Sequence, residues 1–332
     1  MRKIGAAVIG IGLYGQVHAR NYQAHPHTEL ISVWSRSAER AKRIGQKYNC
    51  EYTNELERIA NDERVQIVSI ATPDFAHVEP ALKMIASGKH ILLEKPMATS
   101  VRDGEQIAAA YRLGLNSNPK LKLMVNFHNR WYPPIARAKR VIERGDIGEP
   151  VSVYANLSDR IEVGTEWLSW ADKSGPDWFL LPHTVDIVRW LLSNQKVKKI
   201  FAVGRKGVLQ SKGVSCYDAI QAQVEFEKTI AVFETSWILP SSWRNIVEFR
   251  VDVLGSEGKI GINGDDEGLT ISAKNYQTPF LYDVITENEP IKHFVDCVVN
   301  DKRPSCTVEE ALEVTRIIEA IVESVKTGEV IN

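Results

Sequence analysis

The sequence predicts an α/β fold in two parts, a doubly wound parallel sheet followed by an α+β part built on mostly antiparallel strands. Three observations carry that expectation. Residues 4–126 alternate short apolar runs with helical patterns. A glycine-punctuated turn joins the first apolar run to the first helix. From about residue 150, strand-like runs follow one another with few helices between them, which favours antiparallel pairing. The expected domains are residues 1–123 and 124–332.

The stretch Lys3 to Arg20 reads as a buried strand (Ile4 to Ile9), a turn with Gly10, Gly12 and Gly15, and the start of a helix. Gly10-x-Gly12-x-x-Gly15 has the spacing of the dinucleotide fingerprint. Gly10 permits the tight turn, Gly12 lets a pyrophosphate approach the backbone, and Gly15 lets the helix pack close to the strand. Leu13 and Tyr14, between the glycines, are expected beside the cofactor with them. The helix N-terminus offers unpaired N–H groups and a positive dipole end to phosphates.

Glu29 to Trp34 is the second strand. A carboxylate near its end would hold the adenosine ribose hydroxyls, but the chain has Trp34-Ser35-Arg36-Ser37 there. A carboxylate would repel the 2′-phosphate of NADP, whereas the Ser35 hydroxyl and the Arg36 guanidinium would bind it, with a gain of about 1.5–3 kcal/mol. The reading favours NADP(H) over NAD(H). Ser37 also suits the N-cap of a helix over Ala38 to Tyr48, with Arg36 as a solvated side chain; the two roles can coexist.

Helix and strand then alternate. Asn54 to Asn61 is helical, Gln66 to Ile70 a strand, Phe75 to Ser87 a helix, His90 to Glu94 a strand, Ser100 to Leu115 a helix and Lys122 to Asn126 a strand. Ligands of such sheets bind beyond the carboxyl ends of the strands. Two strand ends carry chemistry: Ala71-Thr72-Pro73-Asp74-Phe75-Ala76-His77 and Glu94-Lys95-Pro96. Thr72, Pro73, His77, Glu94 and Lys95 are therefore cofactor-side candidates, although Thr72-Pro73-Asp74 also reads as a turn and helix start, and a helical histidine is more often packed than catalytic. The proline restricts the backbone of Lys95 and helps to fix it.

The bulk numbers bound the partners. The chain has 332 residues, 44% hydrophobic and 25% charged, and a formal net charge of −1. No basic block suggests nucleic acid or an anionic membrane, and no apolar run approaches the ~20 residues of a membrane span. The first strand begins at once, which leaves no room for a signal peptide. Cys50, Cys216, Cys297 and Cys306 are scattered and read as reduced thiols, consistent with a cytoplasmic protein. Histidines and carboxylates do not cluster at metal-ligand spacing.

The chain resembles the glucose–fructose oxidoreductase, inositol dehydrogenase and rhizopine-catabolism (Gfo/Idh/MocA) family. The resemblance rests on Gly10-x-Gly12-x-x-Gly15, A-T-P-D-F-A-H at 71–77, E-K-P at 94–96, V-N-F-H-N-R-W-Y-P at 125–133, H-x-x-D at 183–186 and F-V-D-C-V-V-N-D-K-R-P at 294–304. It covers essentially the whole chain. It implies an N-terminal Rossmann domain, a C-terminal domain with a large open antiparallel sheet, and an NAD(P)-dependent enzyme acting on a sugar, polyol or related carbonyl compound. It also implies that Lys95 binds substrate and stabilises the reacting oxygen, and that subunits pair as a homo-oligomer, a dimer or tetramer, through the C-terminal sheet.

In the second half, Tyr132 to Glu143 reads as a helix and Val151 to Leu157 as the first strand. Further strands are expected at Val197 to Val203, Ala219 to Phe226, Thr229 to Trp237, Ile246 to Leu254 and Leu269 to Ala273. Phe226-Glu227-Lys228 makes a hairpin. Exposed apolar side chains on such a sheet would favour self-association. Ser158 to Asp177 reads as a long loop whose Trp167 and Trp170 could stack on sugar or simply pack. Thr307 to Lys326 is a long amphipathic helix, expected to return towards the first domain.

His183 and Asp186 share a helix face. His183 can take or return a proton at neutral pH, and its match to the family's histidine implies catalysis. Asp186 could bind a substrate hydroxyl or orient His183. Arg130 resembles an arginine that lines the family's substrate site; an interdomain salt bridge is the other reading. One departure stands out. Many members carry an aspartate four residues before the histidine, where this chain has Phe179, and Leu181 stands where a glycine is usual. Asp177 could reach in instead, or an aromatic floor at Phe179 beside Trp178 could suit a less polar sugar face.

These readings converge on hydride transfer between nicotinamide and a secondary alcohol or ketone of a small sugar-like substrate. Two rivals stand beside it: a glycoside hydrolase that retains its NAD, and a cofactor-sensing regulator on the same fold.

Overall fold

Ala6, Ala7, Val8 and Ile9 are wholly excluded from solvent, as a parallel strand covered on both faces must be. The computed structural model describes residues 3–264, 268–279 and 288–332. The chain divides into two units, Met1–His128 with Ile285–Thr315, and Asn129–Val284 with Arg316–Asn332.

The first unit runs β1 (Ile4–Ile9), α1 (Leu13–Ala24), β2 (Thr28–Trp34), α2 (Ala38–Tyr48), β3 (Glu51–Thr53), α3 (Leu56–Ala60), β4 (Val65–Ile70), α4 (Val78–Ala86), β5 (His90–Glu94), α5 (Val101–Ser117) and β6 (Leu123–Asn126). Its six strands are all parallel, in the order β3-β2-β1-β4-β5-β6. The order reverses between β1 and β4, which places a crevice beyond their carboxyl ends. Caps fix the helices. Ser37 accepts the Arg40 N–H to open α2, Asn49 closes it in the left-handed conformation, and Ser100 accepts the Asp103 N–H to open α5.

One strand is new here and one expectation changes. β3 has only three residues, two of them exposed, and carries no apolar run to reveal it. The helix expected over Phe75 to Ser87 breaks at His77, with a 3-10 turn at Asp74–Ala76 before α4.

The second unit holds α6 (Pro133–Glu143), β7 (Pro150–Arg160), α7 (Pro176–Phe179), α8 (Leu181–Leu191), β8 (Val197–Arg205), β9 (Ala219–Phe226), β10 (Ile230–Leu239), β11 (Val247–Gly255), β12 (Lys259–Asn263), β13 (Gly268–Ser272) and β14 (Tyr276–Gln277). They form one eight-stranded sheet in the order β14-β13-β12-β11-β7-β10-β9-β8. All neighbours are antiparallel except β7 and β10. That exception has a cause: after β7 the chain leaves the sheet through α7 and α8, and a long crossover permits parallel pairing where a hairpin does not. β7 itself runs on to Arg160, so the expected loop starts later than Ser158, and it contains a π-helical turn at Val163–Trp167. The inner sheet face is apolar, with Phe226, Phe233 and Trp237 fully buried.

Two further helices follow, α9 (Glu289–Val299) and α10 (Val308–Thr327). Thr307 and Glu310 open α10 with a reciprocal capping box: the Thr307 N–H donates to Glu310 Oε2 at 2.9 Å and the Glu310 N–H donates to Thr307 Oγ1 at 3.3 Å. Among the described residues no helix is long and apolar enough to cross a membrane.

Candidate active site

In the first unit, the glycine turn is shaped by steric need. Gly10 has φ +88°, and a Cβ there would lie 2.5 Å from the Thr72 nitrogen and 2.6 Å from the Ala71 carbonyl carbon. Only glycine lets the turn after β1 press against the segment after β4. A Cβ on Gly15 would strike the Gly10 carbonyl oxygen, whereas one on Gly12 would meet open space. Gly12 opens α1 with no side-chain cap and no acidic residue in the first turn. Leu13 and Tyr14 beside it are exposed, at 81% and 45%, and Tyr14 stacks on His128 with ring centroids 6.2 Å apart.

At the end of β2, Ser35 is buried and Arg36 exposed. The Ser37 N–H donates to Ser35 Oγ at 3.3 Å, and Ser37 Oγ caps α2. Thr72 Oγ1 donates to the Ala76 carbonyl at 3.0 Å, which closes the turn around Pro73.

Lys95 follows the last residue of β5 and is buried, and the Lys95–Pro96 bond is cis. The turn that carries it is held from two sides. Glu94, expected on the cofactor side, is instead turned into the protein: His18 Nε2 lies 2.8 Å from its Oε1, and Asn126 Nδ2 donates to the same oxygen at 2.7 Å. Burial pushes the Glu94 carboxyl up, but the bonds and charge of His18, the charge of His128 and the Asn126 bond outweigh it and hold the group at about 2. His77, also expected to meet the cofactor, is 1% exposed. Its Nδ1 lies 2.7 Å from the Pro96 carbonyl and its Nε2 3.1 Å from the Thr72 carbonyl. It ties the two candidate loops together. Burial pushes its pKa down, with Asp74 opposing.

In the second unit, His183 lies in the first turn of α8, 7% exposed. Asn129 Nδ2 lies 3.2 Å from its Nδ1. With Nδ1 accepting from the amide, the neutral ring carries its proton on Nε2. Asp186 pairs with Arg130. Arg130 Nε donates to Asp186 Oδ2 at 2.9 Å and Nη2 to Oδ1 at 2.6 Å, with both residues buried. This bidentate pair lies within the second unit. The Trp190 ring lies 5.7 Å from the guanidinium.

Phe179 packs among aromatic rings. Its ring meets Trp237 edge-on at 5.5 Å and Trp170 at 6.0 Å. Asp177 is buried beside Cys216, whose thiol burial pushes up to about 12 with Asp177 adding to the shift. Trp167 stays 55% exposed.

Residues 4–114 match the oxidoreductase family with an NAD-binding Rossmann fold, and residues 139–332 match the family's C-terminal α/β domain. The chain belongs to the Gfo/Idh/MocA oxidoreductase family. It is 26% identical over 318 residues to scyllo-inositol 2-dehydrogenase (NAD(+)) of Bacillus subtilis (strain 168), covering 92% of this chain and 89% of that one. It is 24% identical over 356 residues to scyllo-inositol 2-dehydrogenase (NADP(+)) of the same organism, covering 97% and 94%. Its fold matches a structure of levoglucosan dehydrogenase in complex with NADH and levoglucosan, with a TM-score of 0.89, 22% identity and 99% of each chain covered.

As a member of the Gfo/Idh/MocA family the chain is an oxidoreductase, and the first unit fits a nicotinamide dinucleotide. The open space at Gly12 admits a pyrophosphate, and α1 opens there with no side-chain cap, so its positive dipole end favours an anion. Sequence reasoning singled out the glycines, Lys95 and His183 as candidates. It missed His18, Ser69, Asn126 and Asn129, the partners that hold Glu94 and His183. The available signal was a polar residue inside an otherwise apolar face, as at His18 in α1 and Ser69 in β4.

Proposed function

We propose that this oxidoreductase is an NAD(P)-dependent dehydrogenase or reductase for a secondary alcohol or ketone of a sugar, polyol or related small molecule. The observation that carries the reading is Lys95, buried at the end of β5 on a turn held through Glu94 and Pro96. A bound nicotinamide supplies the hydride acceptor or donor. Lys95 donates a hydrogen bond to the reacting substrate oxygen and stabilises the negative charge that develops there. His183, with its proton on Nε2, gives up or takes the alcohol proton. Asn129 keeps the ring in that tautomer. Phe179, Trp170 and Trp167 contribute an aromatic wall and an exposed indole to substrate selection.

NADP(H) is the favoured cofactor, because Arg36 is exposed at the end of β2 and no carboxylate stands at Trp34 to Ser37. Relatives named for NAD and for NADP both exist, so the preference rests on Ser35 and Arg36 alone. The first unit serves the dinucleotide and the second the substrate, and the protein works in the cytoplasm as a homo-oligomer through the eight-stranded sheet. Phe201, Val203, Ile230 and Leu254 are exposed on strands of that sheet; sedimentation of the protein alone tests self-association.

The reading is tested by following NADP⁺ and NAD⁺ reduction with scyllo-inositol, myo-inositol and levoglucosan. Turnover of any of these that Lys95→Met abolishes without loss of NADPH binding supports it. Tightly retained NAD with aglycone release and no net reduction would instead support the retained-cofactor hydrolase.

A further inference from the structure

Behind Glu94 runs a chain of buried polar side chains that the proposed chemistry does not touch. His18 and Tyr22 lie on one face of α1 with Gly15 and Ala19, all buried. Tyr22 Oη lies 2.7 Å from Ser69 Oγ, Ser69 Oγ lies 2.8 Å from His18 Nδ1, and His18 Nε2 lies 2.8 Å from Glu94 Oε1. Tyr22, His18 and Ser69 are each at most 1% exposed and Glu94 is 6% exposed. Burial raises the Tyr22 phenol well above its usual range, against the opposing Ser69 bond, so it stays protonated. Both ring nitrogens of His18 are thus engaged, and the imidazole has one orientation.

The same helix begins at the glycine turn, and the same carboxylate immediately precedes Lys95. We propose that His18 is a positioning residue for Lys95, acting through Glu94: it fixes an ionised carboxylate at the end of β5 and so fixes the place and charge of the residue that follows. The inference rests on the reading of Lys95 as the group that meets the substrate oxygen.

The electrostatics agree. Glu94 is faced by His18 from α1, Asn126 from β6 and His128 just after β6, with His77 after β4 and Lys95 as further charged or titratable neighbours. His128 is held at about 4, first by burial, with Lys95 and His18 lowering it and Glu94 opposing. One ring therefore senses Glu94, Lys95 and His18 together. Without the His18 donor, a carboxyl this buried protonates at higher pH, and the fixed negative charge that immediately precedes Lys95 is lost.

The experiment compares His18→Leu, His18→Gln, Glu94→Gln and Lys95→Met in the full chain. It reads NADPH binding by fluorescence, kcat against pH with the substrate of the panel that the wild type turns over, and the infrared carbonyl band of a protonated carboxylic acid. His18→Leu is expected to lose at least about tenfold in kcat, to shift the acid limb up by about one pH unit or more, and to keep NADPH affinity within about threefold. A protonated-acid band should titrate in His18→Leu and vanish when Glu94→Gln is added. His18→Gln, whose amide can still donate to Glu94, should recover most of the rate. Should His18→Leu not fold, Glu94→Gln carries the test, with the same loss of kcat at unchanged NADPH affinity. An unmoved pH profile in His18→Leu, a His18→Gln as impaired as His18→Leu, or full kcat in Glu94→Gln overturns the proposal while Lys95→Met stays inactive. A Lys95→Met enzyme that turns over at the wild-type rate overturns the Lys95 reading itself, and with it this role for His18.

Discussion

Arg130 and Asp186 form a buried, bidentate ion pair within the second unit, with Nε–Oδ2 at 2.9 Å and Nη2–Oδ1 at 2.6 Å. Arg130 follows Asn129, and Asp186 lies three residues beyond His183, so the pair fixes both flanks of the Asn129–His183 contact. Breaking one partner leaves a buried charge uncompensated, at a cost of about 3–5 kcal/mol. Arg130→Met and Asp186→Asn are each expected to lower the unfolding free energy by that amount, read as a lower denaturation midpoint at unchanged m. An exposed-pair effect below about 1 kcal/mol would contradict the assignment.

Asn129→Ala removes the amide that fixes the His183 tautomer. The expected result is a fall in kcat of about tenfold to a hundredfold with cofactor binding unchanged, since an orienting partner acts on the proton-transfer step. Equal kcat in Asn129→Ala would show that the ring is held by other contacts.

Stability should fall steeply with acid. Burial holds His128 at about 4, with Lys95 and His18 adding to it and Glu94 opposing; burial likewise holds His90 at about 4, with Lys122 adding and Asp301 opposing. Both unfolded rings take up protons near 6.5, so between about pH 6.5 and 4 these two rings alone give the unfolded chain about two more protons than the folded one, and His25, His77 and His293, also lowered by burial, act in the same direction. Stability therefore rises with pH in that window, by up to about 2.7 kcal/mol per unit where both rings contribute fully. Glu94 acts lower down: its folded value is depressed to about 2, so its contribution is present above the unfolded value of about 4.3 and is lost as pH falls from there towards 2. Urea unfolding at pH 5 and pH 6 measures the first effect, and His128→Asn should remove about one ring's share of the slope, up to about 1.4 kcal/mol per pH unit. A slope unchanged in that variant would contradict it.

Arg36→Asp replaces a 2′-phosphate partner with a repelling charge. NADPH affinity should fall at least about tenfold relative to NADH, or about 1.4 kcal/mol. An unchanged ratio would remove Arg36 from the cofactor site and leave Ser37's cap of α2 as the main role of this turn.

Phe179→Asp places a carboxylate against Trp170 and Trp237. It should cost about 2–4 kcal/mol of stability through lost packing and a desolvated charge. It should also change relative kcat/KM among scyllo-inositol, myo-inositol and levoglucosan by about fivefold or more. Unchanged selectivity in a folded variant would make Phe179 a packing residue only.

The parallel unit was legible because its signals are local. Ser37 and Asn49 are the residue types that open and close α2, and the expected Ala38 to Tyr48 is the observed span. Gly10 and Gly15 declare a turn whose steric reason appears only when β1, α1 and the segment after β4 come together. The site partners were not legible, because they are remote in sequence. Ser69 and Glu94 lie 51 and 76 residues from His18, and Asp186 lies 56 from Arg130. A charged residue read alone seems available to substrate; only the fold reveals that its charge is already matched. The same holds for β7 and β10, whose parallel pairing depends on the crossover through α8 and not on the pattern of either strand.

The central claim is that Lys95 meets the reacting oxygen. The most direct measurement is kcat of Lys95→Met on the turned-over polyol or sugar, beside its NADPH affinity. The account predicts a loss of about a hundredfold or more in kcat with NADPH affinity within about threefold of wild type. Turnover near the wild-type rate would contradict it.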